Sequence, residues 1–506
     1  MKVAIVGAAG VRTPQLVNAL LLYGEELGLD EIRLMDIDGR RLEWMGLVVQ
    51  ELNRRAARQV QLCFTVEAHK ALSGVDYAFF TIRVGGVEAR LADEEIPLKY
   101  GVLGQETTGP GGFAMALRTV PVMVQYLELL SEHSPGAWAI NLTNPAGLIT
   151  QALMDRGFHR VVGICDSPAE LFEEIAQAIG IEENRLWFDY FGLNHLGWIK
   201  RVVYQGRDLL PEILADERAL LRHGREMIPA SLMRALGVIP NEYLMFYYCS
   251  RQIVERLRAG GLTRARVIDE LNRRLFSQLA ELAKDQDGQR KALDVYRTYA
   301  RARDASYMQL ETDHIETGHI STDHTKTDYL ATGTDHLKTD GAGLVDQLWD
   351  AASTAARDAA EKEDASEPRG YSGIALRVLR GLTGVAPGVI VVNTLNSSAL
   401  SCLDPTDVVE IPAFVDCSGI HPFRVEGPIP EHCRALLQAV KGYERIAARA
   451  ALEQSYELAL QAMIVHPLVP DALVAKQILD DLVAAHRAYL GDGLVSKLTP
   501  RCGAEG

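Results

Sequence analysis

The chain has 506 residues, enough for two packed domains, and 48% of them are apolar, so a large core is available. A formal charge of −15 excludes a broad basic surface for nucleic acid. The opening MKVAIVGAAG runs from a strand straight into a glycine turn without the layout of an export signal, no run of about eighteen apolar residues marks a membrane span, and the seven cysteines are odd in number and scattered. Together these predict a cytoplasmic protein with reduced thiols and no membrane or nucleic-acid partner.

Taken in order, KVAIV (2–6) predicts a strand, GAAG a tight turn, and TPQLVNALLLYG a helix with apolar residues on one face. EIRLMDID predicts a second strand ending at Asp36 and Asp38, VDYAFFTI a third, AWAINLTNP a fourth and RVVGICDSP a fifth. Strands alternating with helices predict an α/β protein whose N-terminal part is a Rossmann-like, doubly wound parallel sheet of the lactate and malate dehydrogenase kind. Ligands of such sheets lie at the carboxyl ends of the strands. Those ends carry GAAGVRTP, DIDGR, IRVGG, NLTNPAG and ICDSP, so five loops face one crevice. Farther on, GVIVVNT and DVVEIPAFV alternate with the long helical pattern CRALLQAVKGYERIAARAALEQSYELALQAMI, which predicts a C-terminal α/β domain.

GAAGVR keeps Gly7 and Gly10 but lacks the full G-x-G-x-x-G pattern. Its placement after a strand and before a helix lets backbone amides hold a pyrophosphate, although a tight glycine turn also occurs without nucleotide. Asp36 ends the next strand, where an acidic side chain reads ribose hydroxyls and favours NAD over NADP. Thr81, at the end of the third strand, joins Gly7, Gly10 and Asp36 as a cofactor-binding candidate. The expected division is a nucleotide-binding domain over 1–165 and a metal-binding, substrate-binding and oligomerisation domain over 166–506, with a low-complexity insertion at about 304–343. Within it, Thr-Asp-His recurs, ending at His314, His324 and His336. Aspartate and histidine both ligate cations, but no cysteine or helical two-histidine spacing accompanies them, and the segment reads as a solvated arm.

Cys165 closes an apolar strand, and His195 follows thirty residues later in GLNHLGW. Each alone also reads as a buried thiol or a structural histidine. Presented at the ends of two short apolar runs, they can share one divalent cation, and a cation beside a nicotinamide implies redox at an alcohol carbon.

The ordered series RVGGVEARLADEEIPLKYGVLGQETTGPGGFAMALRTVP (83–121), NLTNPAG, GLNHLGW, PNEYLMFYY, RGYS (369–372) and VKGYE (441–445) resembles glycoside hydrolase family 4, the NAD- and metal-dependent glycosidases. The resemblance runs from residue 2 to about 490 and lies closest to the 6-phospho-β-glucosidase branch. It implies that Cys165 and His195 ligate Mn²⁺, that Tyr243 is the general base, that Asn144 positions a sugar hydroxyl, and that Arg83 contacts substrate or its phosphate. The implied reaction oxidises sugar carbon 3, removes the carbon 2 proton, eliminates the leaving group, adds water and returns the hydride, so NAD is required but not consumed. The implied partner is a small glycoside carrying a 6-phosphate, and the implied assembly a homodimer or homotetramer.

Three positions depart from the pattern. Gly10 and Val11 stand where relatives often carry serine, and Met245 replaces an arginine common after the base tyrosine. Residues 165–168 read Cys-Asp-Ser-Pro, close to the Cys-Asp-Met-Pro of 6-phospho-α-glucosidases, in which Asp166 would be the general acid. The rival readings are a sugar or 2-hydroxy-acid dehydrogenase of the same fold, which would release NADH, and a noncatalytic sugar-phosphate-binding regulator.

Overall fold

The computed structural model describes residues 1–220, 228–285, 287–307, 310, 341–359 and 368–497. His314, His324 and His336 of the Thr-Asp-His repeats lie outside the described residues, while positions 341–343 open the helix Gly341–Ala359.

The first six strands are β1 (Lys2–Val6), β2 (Glu31–Met35), β3 (Gln61–Thr65), β4 (Tyr77–Phe80), β5 (Trp138–Asn141) and β6 (Val161–Gly163). They are parallel and lie in the order β3-β2-β1-β4-β5-β6. In this doubly wound order the chain switches direction beside β1, which opens a crevice at the strand ends. Alternate residues enter opposite cores: Val3, Ile5 and Phe79 on one face, Ala4, Val6 and Phe80 on the other, all fully buried. Burial on both faces is why β1, β4 and β5 read as apolar runs, whereas β3, QLCFT, lies at the sheet edge without a buried residue and is a sixth parallel strand that sequence reading missed.

The remaining strands are β7 (Trp187–Leu193), β8 (Leu196–Tyr204), β9 (Arg207–Asp208), β10 (Ile239–Pro240), β11 (Gly388–Leu395), β12 (Val408–Asp416) and β13 (Gly419–Pro422). They extend the same sheet. β11 pairs antiparallel with β6 through Asn393 and Gly163, and β12, β7, β8 and β10 follow in turn. The C-terminal α/β part therefore covers the edge that β6 would leave open, instead of building a second sheet.

The helical pattern expected to run unbroken through Ser455 is two helices, Glu431–Glu453 and Tyr456–Val465. Gln454 breaks it with a left-handed backbone at φ +49°, and Ser455 restarts it by accepting the Leu458 amide at 3.3 Å. The Gln454 side chain is tied down by donating to the Leu117 carbonyl at 3.0 Å and accepting from the Gly491 amide at 2.8 Å. Among the described residues one helix, Pro110–His133, has the length and hydropathy of a membrane span. It packs against Glu431–Glu453, and 61% of its apolar window is buried, as suits a core helix.

Candidate active site

The site is built where β1, β2, β4, β5 and β6 end. Gly7 has φ +91°, and a Cβ there would lie 2.5 Å from the Thr81 carbonyl oxygen, so the turn and the end of β4 meet only across a glycine. Gly10 donates its amide to the Gly7 carbonyl at 3.0 Å, and Gly7 and Ala8 both donate to Met35 at 2.9 Å. Asp36 accepts from the Ala9 amide at 2.9 Å and the Asp38 amide at 3.0 Å, and burial raises its carboxyl above the usual range. Helix Thr13–Leu22 begins beside this turn with no side-chain cap and no acidic residue in its first turn, leaving a positive dipole end facing the loop. The structure thus brings Gly7, Gly10, Asp36 and Thr81 to one end of the crevice.

At the other end β7 and β8 form a hairpin closed by the pair Leu193 and Leu196, with Asn194 and His195 as its two-residue turn. His195 takes φ +61°, a left-handed conformation that costs a non-glycine residue energy and marks functional sites. The turn is held from below. Asn194 donates to Glu410 at 3.0 Å, as do Tyr190 at 2.8 Å and Asn393 at 3.2 Å, while Asn194 accepts from the Gly147 amide at 3.3 Å. Burial pushes Glu410 up to about 7 despite these three donors.

His195 is 3% exposed, and neither ring nitrogen has a hydrogen-bond partner. Burial pushes its imidazole down to about 3, which keeps a lone pair available at neutral pH. Its ring stacks on Tyr243, centroids 3.7 Å apart and 7° from parallel. Cys165 is also buried; burial first, then the charges of Glu410 and Asp166, push its thiol well above its ordinary value. A buried neutral thiol and a buried unpartnered imidazole suit a divalent cation, whose charge would drive the thiol to thiolate. Among the described residues no three His, Cys, Asp or Glu side chains gather around one metal position, so the remaining coordination positions would fall to substrate or water.

Around this pair the site closes with tyrosines. Tyr371 donates toward Cys165 Sγ at 3.9 Å, accepts from Asn144 at 3.3 Å, and carries the Arg12 guanidinium 3.8 Å above its ring. Asn144 Oδ1 and both polar side-chain atoms of Asn241 are buried without partners. Tyr243 accepts a hydrogen bond from Tyr307 at 3.1 Å. Burial, and next the neighbouring Cys165, push the Tyr243 phenol well above 10, while the bond from Tyr307 pulls it back. Ser167, next to Asp166, donates to Glu242 at 2.6 Å and so joins the Cys165 loop to the Tyr243 loop. Burial pushes Asp166 up to about 6 against the opposing charge of Arg12.

Arg83 does not present a free guanidinium. It pairs with Glu106 at 2.6 Å, Glu106 pairs with Arg90 at 2.7 Å, and Arg90 pairs with Glu94 at 2.7 Å. Burial opposes charge on Glu106, but Arg90, Arg83, Arg264 and Arg12 together hold it well below the usual carboxylate range. Four arginines thus act on this one carboxylate.

Sequence reading missed Arg12, Glu106, Glu242, Tyr307, Tyr371 and Glu410 as site residues. The first three, and Tyr371, sit inside motifs already conspicuous in the chain, GAAGVR, GQETTGPGG, PNEYL and RGYS. Tyr307 and Glu410 carry no such signal and arrive only through the fold.

Comparison with known proteins agrees with this geometry. The model of the family 4 glycosyl hydrolases matches residues 2–181, and that of their C-terminal domain matches residues 190–469. A probable 6-phospho-beta-glucosidase of Bacillus subtilis is 30% identical over 503 residues, covering 97% of each chain. The 6-phospho-beta-glucosidase of Thermotoga maritima, solved with manganese, NAD⁺ and glucose-6-phosphate, superposes with a TM-score of 0.74 at 25% identity, over 97% of this chain and 99% of that one. A 6-phospho-alpha-glucosidase from gut microorganisms, solved with NAD and glucose-6-phosphate, gives 0.71 at 25% identity, over the same shares. With both halves of the chain matched and the crevice built as described, this protein belongs to glycosyl hydrolase family 4.

Proposed function

We propose that this enzyme hydrolyses 6-phosphoglucosides, β-anomers foremost, with NAD⁺ and a divalent cation such as Mn²⁺. The observation that carries the reading is His195, a buried imidazole with two unpartnered nitrogens, stacked on a tyrosine and clustered with a buried cysteine. The ligands found in the Thermotoga maritima structure support it.

When bound, NAD⁺ would supply hydride transfer at sugar carbon 3, and the cation would supply polarisation of the oxygen there. Gly7, Gly10, Asp36 and Thr81 hold the dinucleotide, and Cys165 and His195 hold the cation. Tyr243, whose raised phenol the charge of the cation would bring toward phenolate, takes the carbon 2 proton onto its oxygen, and the hydrogen bond from Tyr307 stabilises the phenolate. Asp166, raised to about 6, keeps part of its protonated form near neutral pH and can pass the proton to the departing oxygen. Asn144 orients a sugar hydroxyl with its unpartnered Oδ1. Arg83 anchors the phosphate.

The reading includes a cytoplasmic homodimer or homotetramer acting on a small glycoside without nucleic acid or membrane, and a division of labour between residues 1–165 and 166–506. A panel of nitrophenyl α- and β-glucosides, with and without 6-phosphate, assayed with NAD⁺ and Mn²⁺, tests it. Turnover of 6-phospho-β-glucosides without net NADH is expected. Equal or faster turnover of unphosphorylated glycosides would overturn the substrate class, and accumulating NADH would mark a dehydrogenase.

A further inference from the structure

Arg83 belongs to a turn that has little stiffness of its own. Gly85 and Gly86 follow it with φ +83° and +62°, and the turn is closed by the Gly86 amide donating to the Arg83 carbonyl at 3.0 Å. Two successive left-handed glycines make the most permissive backbone available, so what holds Arg83 in register must come from outside the turn.

The outside contacts come from the far end of the chain. Arg118, fully buried in the core helix Pro110–His133, donates through Nε to the Val84 carbonyl at 3.3 Å. Its two terminal nitrogens grip Oδ1 and Oδ2 of Asp93 at 2.8 and 2.7 Å, and Oδ1 of that fully buried carboxylate also accepts from Nε2 of His486 at 2.7 Å, a residue 393 positions away. A carboxylate only accepts, so the imidazole carries its proton on Nε2. Past His486, the Tyr489 ring closes over the turn: a Cβ at Gly85 would meet it at 3.1 Å and the Ala89 Cβ at 2.5 Å. One helix back, Asp481 accepts from Tyr100 at 2.7 Å and ties the same C-terminal segment to the end of helix Gly86–Lys99. A fully desolvated ion pair adds little stability over a well-packed apolar pair, whereas it does define one geometry sharply.

We propose that His486 and Tyr489 are positioning residues for substrate: acting through Asp93 and Arg118 and by direct packing on Gly85, they set the Arg83–Gly86 turn and thereby place the Arg83 guanidinium in the crevice. The proposal rests on the reading that Arg83 contacts the substrate. It makes the C-terminal segment part of the specificity apparatus through its contacts with the Arg83–Gly86 turn alone.

The test uses the full chain with NAD⁺ and Mn²⁺ and a nitrophenyl 6-phosphoglucoside that it turns over. Because a misplacement of about 1 Å can cost up to about 100-fold, Tyr489→Ala and His486→Leu are expected to raise KM about five- to tenfold with kcat within about twofold. His486→Gln, which keeps a nitrogen donor, should recover most of the loss. In the Arg83→Ala background Tyr489→Ala and His486→Leu should add nothing further, since both act on one contact. Tyr489 is 45% exposed, so its variant keeps the question answerable even where His486→Leu does not fold. If Arg83→Ala raises KM while Tyr489→Ala and His486→Leu both leave it unchanged, the positioning role is overturned alone. Effects that multiply in the double variants, or a kcat loss at constant KM, overturn it too. An unchanged KM in Arg83→Ala overturns the reading of Arg83 itself and takes the positioning role with it.

Discussion

Replacing Tyr307 by phenylalanine removes one hydroxyl and little else. That hydroxyl donates to Tyr243 across 3.1 Å, and Arg264 lies 4.8 Å from its ring centroid, with its guanidinium fixed by the Ser306 carbonyl at 2.7 Å. A hydrogen bond to a neutral acceptor contributes about 0.5–1.5 kcal/mol and one to a charged acceptor about 1.5–3 kcal/mol. The difference, about 1–2 kcal/mol, is what Tyr307 offers to the ionised form of Tyr243. The Tyr307–Tyr243 bond is part-buried, so water can replace some of it, and the lower half of that range applies. The expected result is a fall in kcat of about five- to tenfold, with the rising limb of the pH profile moved up by up to about one unit. The direction follows from the charge: losing a donor to the phenolate raises the Tyr243 pKa, so more alkaline solution is needed to prepare the base. Measuring kcat from pH 6 to 10 at saturating NAD⁺ and Mn²⁺ decides it. An unchanged profile, or an equal loss at every pH, would show that Tyr307 does not tune the base.

Other expectations follow from the same geometry. Cys165→Ser and His195→Ala should each abolish Mn²⁺-dependent turnover while NAD⁺ binding, followed by fluorescence, stays near normal; near-normal activity at low metal would remove them as ligands. Hydrolysis in heavy water should place deuterium at carbon 2 of the released sugar, and Tyr243→Phe should suppress that exchange together with turnover; product free of deuterium would rule out elimination. Glu410, at about 7 in the fold against an ordinary 4.5, keeps a proton across that window that the unfolded chain has already released. Stability should therefore fall as pH rises from 4.5 to 7, by up to about 3 kcal/mol, and Glu410→Gln should flatten this slope in urea melts; an unaltered slope would assign it to other groups.

Most of the parallel half was legible because strands buried on both faces show themselves as short apolar runs, as in KVAIV and YAFF, whereas the partly exposed edge strand QLCFT shows no such run and was missed. The edge that the later strands join was not legible. Side-chain alternation states which face of β11 is buried, but nothing in GVIVVNTL states that it will pair with β6. The break at Gln454 was hidden for a similar reason: a glutamine in left-handed conformation has no local signature, and the bonds that hold it come from Leu117 and Gly491. In the site, the residues that cluster around Cys165 and His195 were readable where they share a motif with them or with the loops facing the crevice. Tyr307 and Glu410 stand in segments without punctuation, and only the packing of distant elements gives them neighbours. The arginine wall was half visible, since Arg83 stood out while the carboxylate that engages it lay twenty-three positions on.

The joint between β6 and β11 carries an implication for recombining relatives. Asn393 pairs with Gly163 at the seam and, through its side chain, also donates to Glu410, which in turn holds the Asn194 amide beside His195. A side chain at 163 would press against Asn393, its Cβ 2.9 Å from the other. Splicing the front of one homologue to the back of another is thus a three-residue matching problem: Gly163, Asn393 and Glu410 must travel as a set. A graft that keeps them would carry over the chain of contacts that runs from the β6 edge through Asn393 and Glu410 to the turn holding His195.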